Sequence, residues 1–305
     1  MKNVHIYPLF ALASCLLFPS NVLGALAARR FDVCTWQTSA DCTPNSKHFL
    51  QAQLDELNWV SANGHFIAMP SATHRDEINA NGNFMAVYYN DLDSDYYNAG
   101  LTGAQEADAV ESYIYTNFDA ISPGSHPQWV ILNEIPGAWP DSQSCRTWVV
   151  NVVQRLHQTY GHAVIVASRW PNPVQNGSDW QAVAANGYIA IENYLSGAEV
   201  NASGNSVSYC QNIYQSSINS YVARGVSASK LYLIEHFGQT LSGSGFGRAG
   251  VSSAGWDNAI NARITAAHNC GFAGFVSYGW SGNDMGTCES WLVHYEDTYN
   301  NKTLP

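Results

Sequence analysis

Eight short apolar stretches punctuate the chain, at Phe31–Trp36, His65–Pro70, Phe84–Asn90, Trp129–Glu134, Ala163–Arg169, Tyr188–Tyr194, Leu231–Phe237 and Gly274–Trp280. Most run as unbroken hydrophobic segments rich in β-branched and aromatic residues, without in–out alternation. Strands covered on both faces read this way. Between them the apolar positions switch to helical spacing. Leu50, Leu54, Leu57 and Val60 share one face of Phe49–Val60, and Thr102 with Gln105 forms a capping box ahead of Ala107, Val110, Tyr113 and Ile114. Further helices are expected near Cys145–Tyr160, Asp179–Ala185, Ser208–Arg224, Gly255–Asn269 and Glu289–Thr298. The connection between the second and third strands is short and shows no clear helix.

Strand and helix alternating eight times predict an α/β fold, a single-domain (β/α)₈ TIM barrel. A doubly wound open sheet is the alternative, but it normally carries a glycine-rich nucleotide turn after its first strand, and none is present. The Ser/Gly tract Ser242–Gly250 follows the seventh strand, on the side where barrels build their active sites. It reads equally as a mobile active-site loop or a surface insertion.

The chain ends change the length available to that fold. Lys2 precedes an apolar run, Ile6–Phe18, too short to span a bilayer, and small residues follow. Residues 1–24 therefore read as a secretory signal and 25–30 as a short propeptide ending in Arg29-Arg30. Residues 31–305 form the expected catalytic domain of a secreted, extracellular protein. Without the leader, 10 basic face 24 acidic side chains. Such a surface disfavours nucleic acid and acidic polymers and suits a neutral partner. No second apolar span occurs, so no membrane partner is expected, and a monomer is. Six cysteines remain, Cys34, Cys42, Cys145, Cys210, Cys270 and Cys288. An even number in an exported chain predicts three disulfides, and proximity favours Cys34–Cys42 and Cys270–Cys288, leaving Cys145–Cys210. Sequons at Asn176, Asn201 and Asn301 fit a glycoprotein.

Chemistry gathers where apolar runs end. The fourth closes on Asn133-Glu134, the sixth on Glu192-Asn193-Tyr194 and the seventh on Glu235-His236. A carboxylate directly after aliphatic residues is partly desolvated, which raises its pKa toward general-acid duty. Two such acids can cleave a glycosidic bond, one protonating the leaving oxygen and the other attacking the anomeric carbon. The bland reading is that they pair with arginines and order the barrel mouth.

An Asn-Glu pair ending strand four and a Glu ending strand seven resemble the clan A retaining glycoside hydrolases, a superfamily of (β/α)₈ enzymes. That resemblance implies Glu134 as acid/base, Glu235 as nucleophile, and Asn133 bonded to the sugar 2-hydroxyl. It also implies Tyr194 beside the nucleophile and Trp280 as a sugar platform. Arg169 could supply charge near the nucleophile, because the arginine usual at strand two has no counterpart; Arg75 lies five residues past Pro70. Proline follows one residue later than in the family's Asn-Glu-Pro. Tyr88 and Trp36, with Tyr89, Trp139 and Trp170, fall at or past strand ends and are expected to stack on sugar rings, and His236 is a further cleft residue. Glu192 is read as a substrate-binding or supporting third carboxylate, or as the partner of Arg169 or Tyr194.

Other motifs fail. The acidic turn Asn90–Asp95 begins like a calcium loop but has Tyr96 where glycine and Thr102 where glutamate are required. Ser281 lacks the final glycine of a nucleophile elbow. The ten histidines show no HExxH spacing and no CxxC pair exists, so neither metal nor cofactor is expected. The expected function is thus retaining hydrolysis of a neutral β-linked glucan, mannan or similar polysaccharide. The alternative is a catalytically silent barrel that binds glycan or acts as an effector.

Overall fold

The computed structural model describes residues 33–36, 66–69, 72, 84–89, 92, 95–124, 126–174, 176–236 and 253–278. Eight parallel strands pair in sequence order and close on themselves. They are β1 Val33–Trp36, β2 Phe66–Met69, β3 Phe84–Tyr89, β4 Trp129–Leu132, β5 Ala163–Ser168, β6 Tyr188–Glu192, β7 Leu231–His236 and β8 Gly274–Tyr278. All eight expected strands are present, trimmed by one or two residues. The pairing of β1 with β8 closes the barrel and excludes the open sheet.

The described helices are α1 Asp95–Asn98, α2 Gly103–Ile114, α3 Gln143–Gln158, α4 Gly177–Asn186, α5 Gly197–Ala202, α6 Val207–Val222 and α7 Ser253–Cys270. The Thr102–Gln105 capping box opens α2 as expected, with the Gln105 amide donating to Thr102 Oγ1. A second box, Ser196 with Glu199, starts the unforeseen α5. A π-helical turn, Tyr115–Asp119, extends α2. The helices expected at 49–60 and 289–298, the tract at 242–250 and Asn301 lie outside the described residues, as do residues 1–30.

Alternate strand residues feed two separate cores, which is why the strand sequences look continuously apolar. One core fills the barrel: Ala86, Tyr88, Trp129, Ile131, Ile165, Ala167, Ala190, Tyr232, Ile234 and Val276. The other lies between sheet and helices and takes Val87, Tyr89, Val130, Leu132, Val164, Val166, Ile189, Ile191, Leu231 and Leu233. Space inside the barrel is tight. A Cβ on Gly274 would stand 2.0 Å from the Tyr232 ring, so β8 can start there only without a side chain.

Of the expected disulfides, Cys145–Cys210 is corrected, and the side chains of Cys34 and Cys42 lie outside the described residues. Cys145 in α3 and Cys210 in α6 are buried free thiols, and Cys270 at the end of α7 is also free. Packing separates the first pair, because α3 lies mainly against α2 and α4 while α6 lies against α7. Burial pushes Cys145 up to about 11 and Cys210 up to about 12. Cys288 lies outside the described residues as well.

Candidate active site

The C-terminal ends of β4, β5 and β6 bring three charged side chains together. Asn133 continues the line of β4, its amide donating to the Tyr89 carbonyl at 2.9 Å. Glu134 then takes φ of +48°, a left-handed conformation that costs a non-glycine residue about 1 kcal/mol or more. That reversal separates neighbours. Ile135 enters the sheet–helix core, its N–H on the Ala167 carbonyl at 3.1 Å, while the Glu134 carboxylate meets Arg169 at 3.2 Å. Arg169, the first residue past β5, also donates to the Ile135 carbonyl at 3.1 Å. It therefore clamps both sides of the strained residue. Both members of this pair remain about one-third exposed.

The loop after β4 is held from behind. Arg146 on α3 donates to the carbonyls of Trp139 and Pro140 at 3.1 and 3.0 Å and to Asp179 at 2.9 Å. Five hydrogen-bond donors in a rigid fork suit this bridging task.

Glu192 ends β6 with the same parity as Tyr188 and Ala190, which belong to the barrel interior. Burial pushes its carboxyl up to about 7; the Glu134 charge adds to the rise and Arg169 opposes it. Its strand is steadied by Asn193, which is buried and donates to Ser217 at 2.8 Å. Tyr194 packs half-buried against the barrel core.

Glu235 lies elsewhere. It shares the parity of Leu231 and Leu233, so its side chain leaves the barrel for the sheet–helix layer and is fully buried. There its carboxylate accepts from the Tyr214 hydroxyl on α6, from the Leu195 amide at 3.1 and 3.3 Å, and from Arg263 on α7 at 3.4 Å. Arg263 also donates to the Leu195 carbonyl at 2.9 Å. The expected partnership of Glu134 with Glu235 is therefore replaced at the mouth by Glu134 with Glu192. The physical reason is period two: on β6 the terminal acid faces in, and on β7 it faces out.

The expected aromatic rim is also redistributed. Tyr88 fills the barrel interior, Tyr89 and Trp139 are buried in the sheet–helix core, and only Trp170 stays half-buried near Arg169. Trp139 packs against Trp180 with ring centroids 4.6 Å apart and planes tilted by 48°, so the loop after β4 folds its tryptophan inward. Trp36 and His236 end β1 and β7, but their side chains, like Trp280, lie outside the described residues. Sequence reasoning missed Tyr214 and Arg263. One signal was available for Glu192: small residues mark the narrow barrel interior, and Ala190 two positions earlier sets the inward parity of the strand end. Among the described residues the grouping with metal-ligand convergence, Glu111, His126 and His162, sits at the opposite end of the barrel.

No protein-family model and no curated protein sequence matches this chain. Solved structures do. The spore cortex-lytic enzyme SleL of Bacillus megaterium aligns with a TM-score of 0.57 at 10% identity, over 88% of this chain and 74% of that one. A GH18 chitinase from Cycas revoluta aligns at 0.53 and 10% identity, over 87% and 99%. An endo-β-1,4-glucanase from Xanthomonas axonopodis pv. citri aligns at 0.51 and 11% identity, over 86% and 99%. The neighbours are glycoside hydrolases built on this barrel. At such identities the likeness is one of fold.

Proposed function

We propose that the protein is a secreted glycoside hydrolase acting on a neutral β-linked polysaccharide of the glucan or mannan type. The observation that carries this reading is the mouth pair: Glu192 with its carboxyl raised to about 7, beside Glu134 compensated by Arg169. A carboxyl that keeps its proton near neutrality is a general acid, and a neighbouring carboxylate of different environment takes the complementary role. Glu192 protonates the glycosidic oxygen as Glu134 attacks the anomeric carbon, giving a glycosyl-enzyme. Water then attacks that ester, Glu192 taking its proton, and Glu134 is released. A separation of about 5–5.5 Å between the two carboxyl groups would specify this retaining course, and a wider one an inverting course. The acidic surface supports a neutral substrate, and the hydrolase barrels of similar fold support a glycan.

The test is hydrolysis of a panel of β-glucans, β-mannans and chitin, with products resolved by anomer in NMR. Retention of configuration is expected, with activity lost in Glu192→Gln and Glu134→Gln. Full activity in both variants would overturn these two roles, and no hydrolysis of any panel member by the wild-type protein would show the silent barrel instead.

A further inference from the structure

The opposite end of the barrel carries a second arrangement that the hydrolase reading does not use. His126 lies in the loop entering β4, His162 directly precedes β5, and Glu111 stands in the last turn of α2. Their nearest donor atoms all lie within 4.8 Å of one another. His162 Nε2 faces Glu111 Oε2 at 2.9 Å, and His126 Nε2 faces Glu111 Oε1 at 3.5 Å. The two rings stack at 5.0 Å between centroids. One carboxylate therefore receives two imidazole nitrogens from the same side.

The far side of the His126 ring is anchored. His126 Nδ1 lies 2.7 Å from Asp119 Oδ2, and a carboxylate only accepts, so that nitrogen carries hydrogen and Nε2 of the neutral ring turns a lone pair toward Glu111. By the same rule His162 Nε2 donates to Glu111 Oε2 at 2.9 Å, a hydrogen that an ion would displace. Backing of a ligating histidine by a carboxylate or a backbone carbonyl is the usual outer shell of a metal site.

Charge points the same way. Among the described residues neither Glu111 nor Asp119 pairs with lysine or arginine, and Asp119 Oδ1 is buried without a hydrogen-bond partner. A single dication that displaces the His162 Nε2 hydrogen satisfies both carboxylates and the His126 lone pair. We propose that Glu111, His126 and His162 bind one divalent transition-metal ion of the zinc class, with water as fourth ligand and Asp119 orienting His126. Two imidazoles and one carboxylate suit that ion, and tetrahedral closure needs donors about 3.3 Å apart, within reach of a small swing of the half-exposed His126 ring. The ion ties α2 to the loops entering β4 and β5, and the proposal stands independently of the hydrolase reading.

The experiment uses full-length protein stripped with EDTA. Zn²⁺ is titrated by calorimetry, Co²⁺ by visible absorption, and Tm is measured with and without Zn²⁺. Saturable binding of one equivalent, tetrahedral Co²⁺ bands and a raised Tm are expected. His126→Ala and Glu111→Gln should lose that equivalent, and Asp119→Asn should weaken it about 10–100-fold. His126→Gln serves if the alanine variant does not fold. Equal Zn²⁺ uptake by wild type and the His126 variants overturns the proposal. So does a Tm that follows imidazole protonation but ignores saturating Zn²⁺, which would mark a proton-bridged cluster.

Discussion

Glu134 with Arg169 and Glu235 with Arg263 are built from the same two residue types, at 3.2 and 3.4 Å, each acid at the end of a strand of one sheet. The first pair is about one-third exposed, sits on a left-handed residue and leaves Glu192 beside it with a raised pKa. The second is wholly dry, and its acid accepts from a tyrosine hydroxyl, a backbone amide and the arginine. Hydrogen-bonded buried charges specify how elements pack, and here they lock β7 to α6, α7 and the turn after β6. On the proposed mechanism the chemistry falls to the strained, partly exposed pair, and the buried pair holds the packing.

Variants can break this contrast. The largest effect is expected at the mouth: Glu192→Gln should cut hydrolysis about 10²–10⁴-fold while Tm scarcely changes. Kinetics and thermal melts on the same preparation check it, and a normal rate would return the acid's role to another group. Glu235→Gln should do the reverse and cost about 3–5 kcal/mol in denaturant unfolding, because it strands Arg263 as a buried charge. A stable, inactive Glu235→Gln would instead make it the nucleophile.

pH gives a third contrast. Glu192 binds its proton more tightly folded than unfolded, so the stability it contributes is complete below the ordinary value of 4.5 and lost as pH rises through about 7. Activity should fall over the same alkaline range, and Glu192→Gln should flatten that part of the stability profile. The smallest effect is expected for Arg169→Gln, below about 1 kcal/mol in stability because the pair is partly solvated. Arg169 holds Glu192 down, so its loss should move the alkaline limb of residual activity to higher pH. An unmoved limb would separate the two residues.

The barrel was legible because two-sided burial writes itself as continuous apolar runs, and the Thr102–Gln105 box because its spacing is local. The mouth was only half legible. Glu134 followed from its place after Val130, Ile131 and Leu132, but its turn depends on a φ that no neighbour announces. Which acid joins it depends on parity against adjacent strands, which Ala190 reveals on β6 and nothing plain reveals on β7. The disulfide Cys145–Cys210 failed because chain proximity says nothing of which helices touch. Glu111, His126 and His162 were invisible to motif spacing because fold closure, not a single helix, gathers them.

The left-handed turn at residue 134 also sets an evolutionary gradient. Glycine or asparagine is more comfortable at φ of +48°, so Glu134→Gly and Glu134→Asn should relieve local strain while removing the acid. On the proposed mechanism, selection for robustness and selection for turnover pull on one codon in opposite directions. In a lineage released from turning over substrate, this position should be among the first to drift.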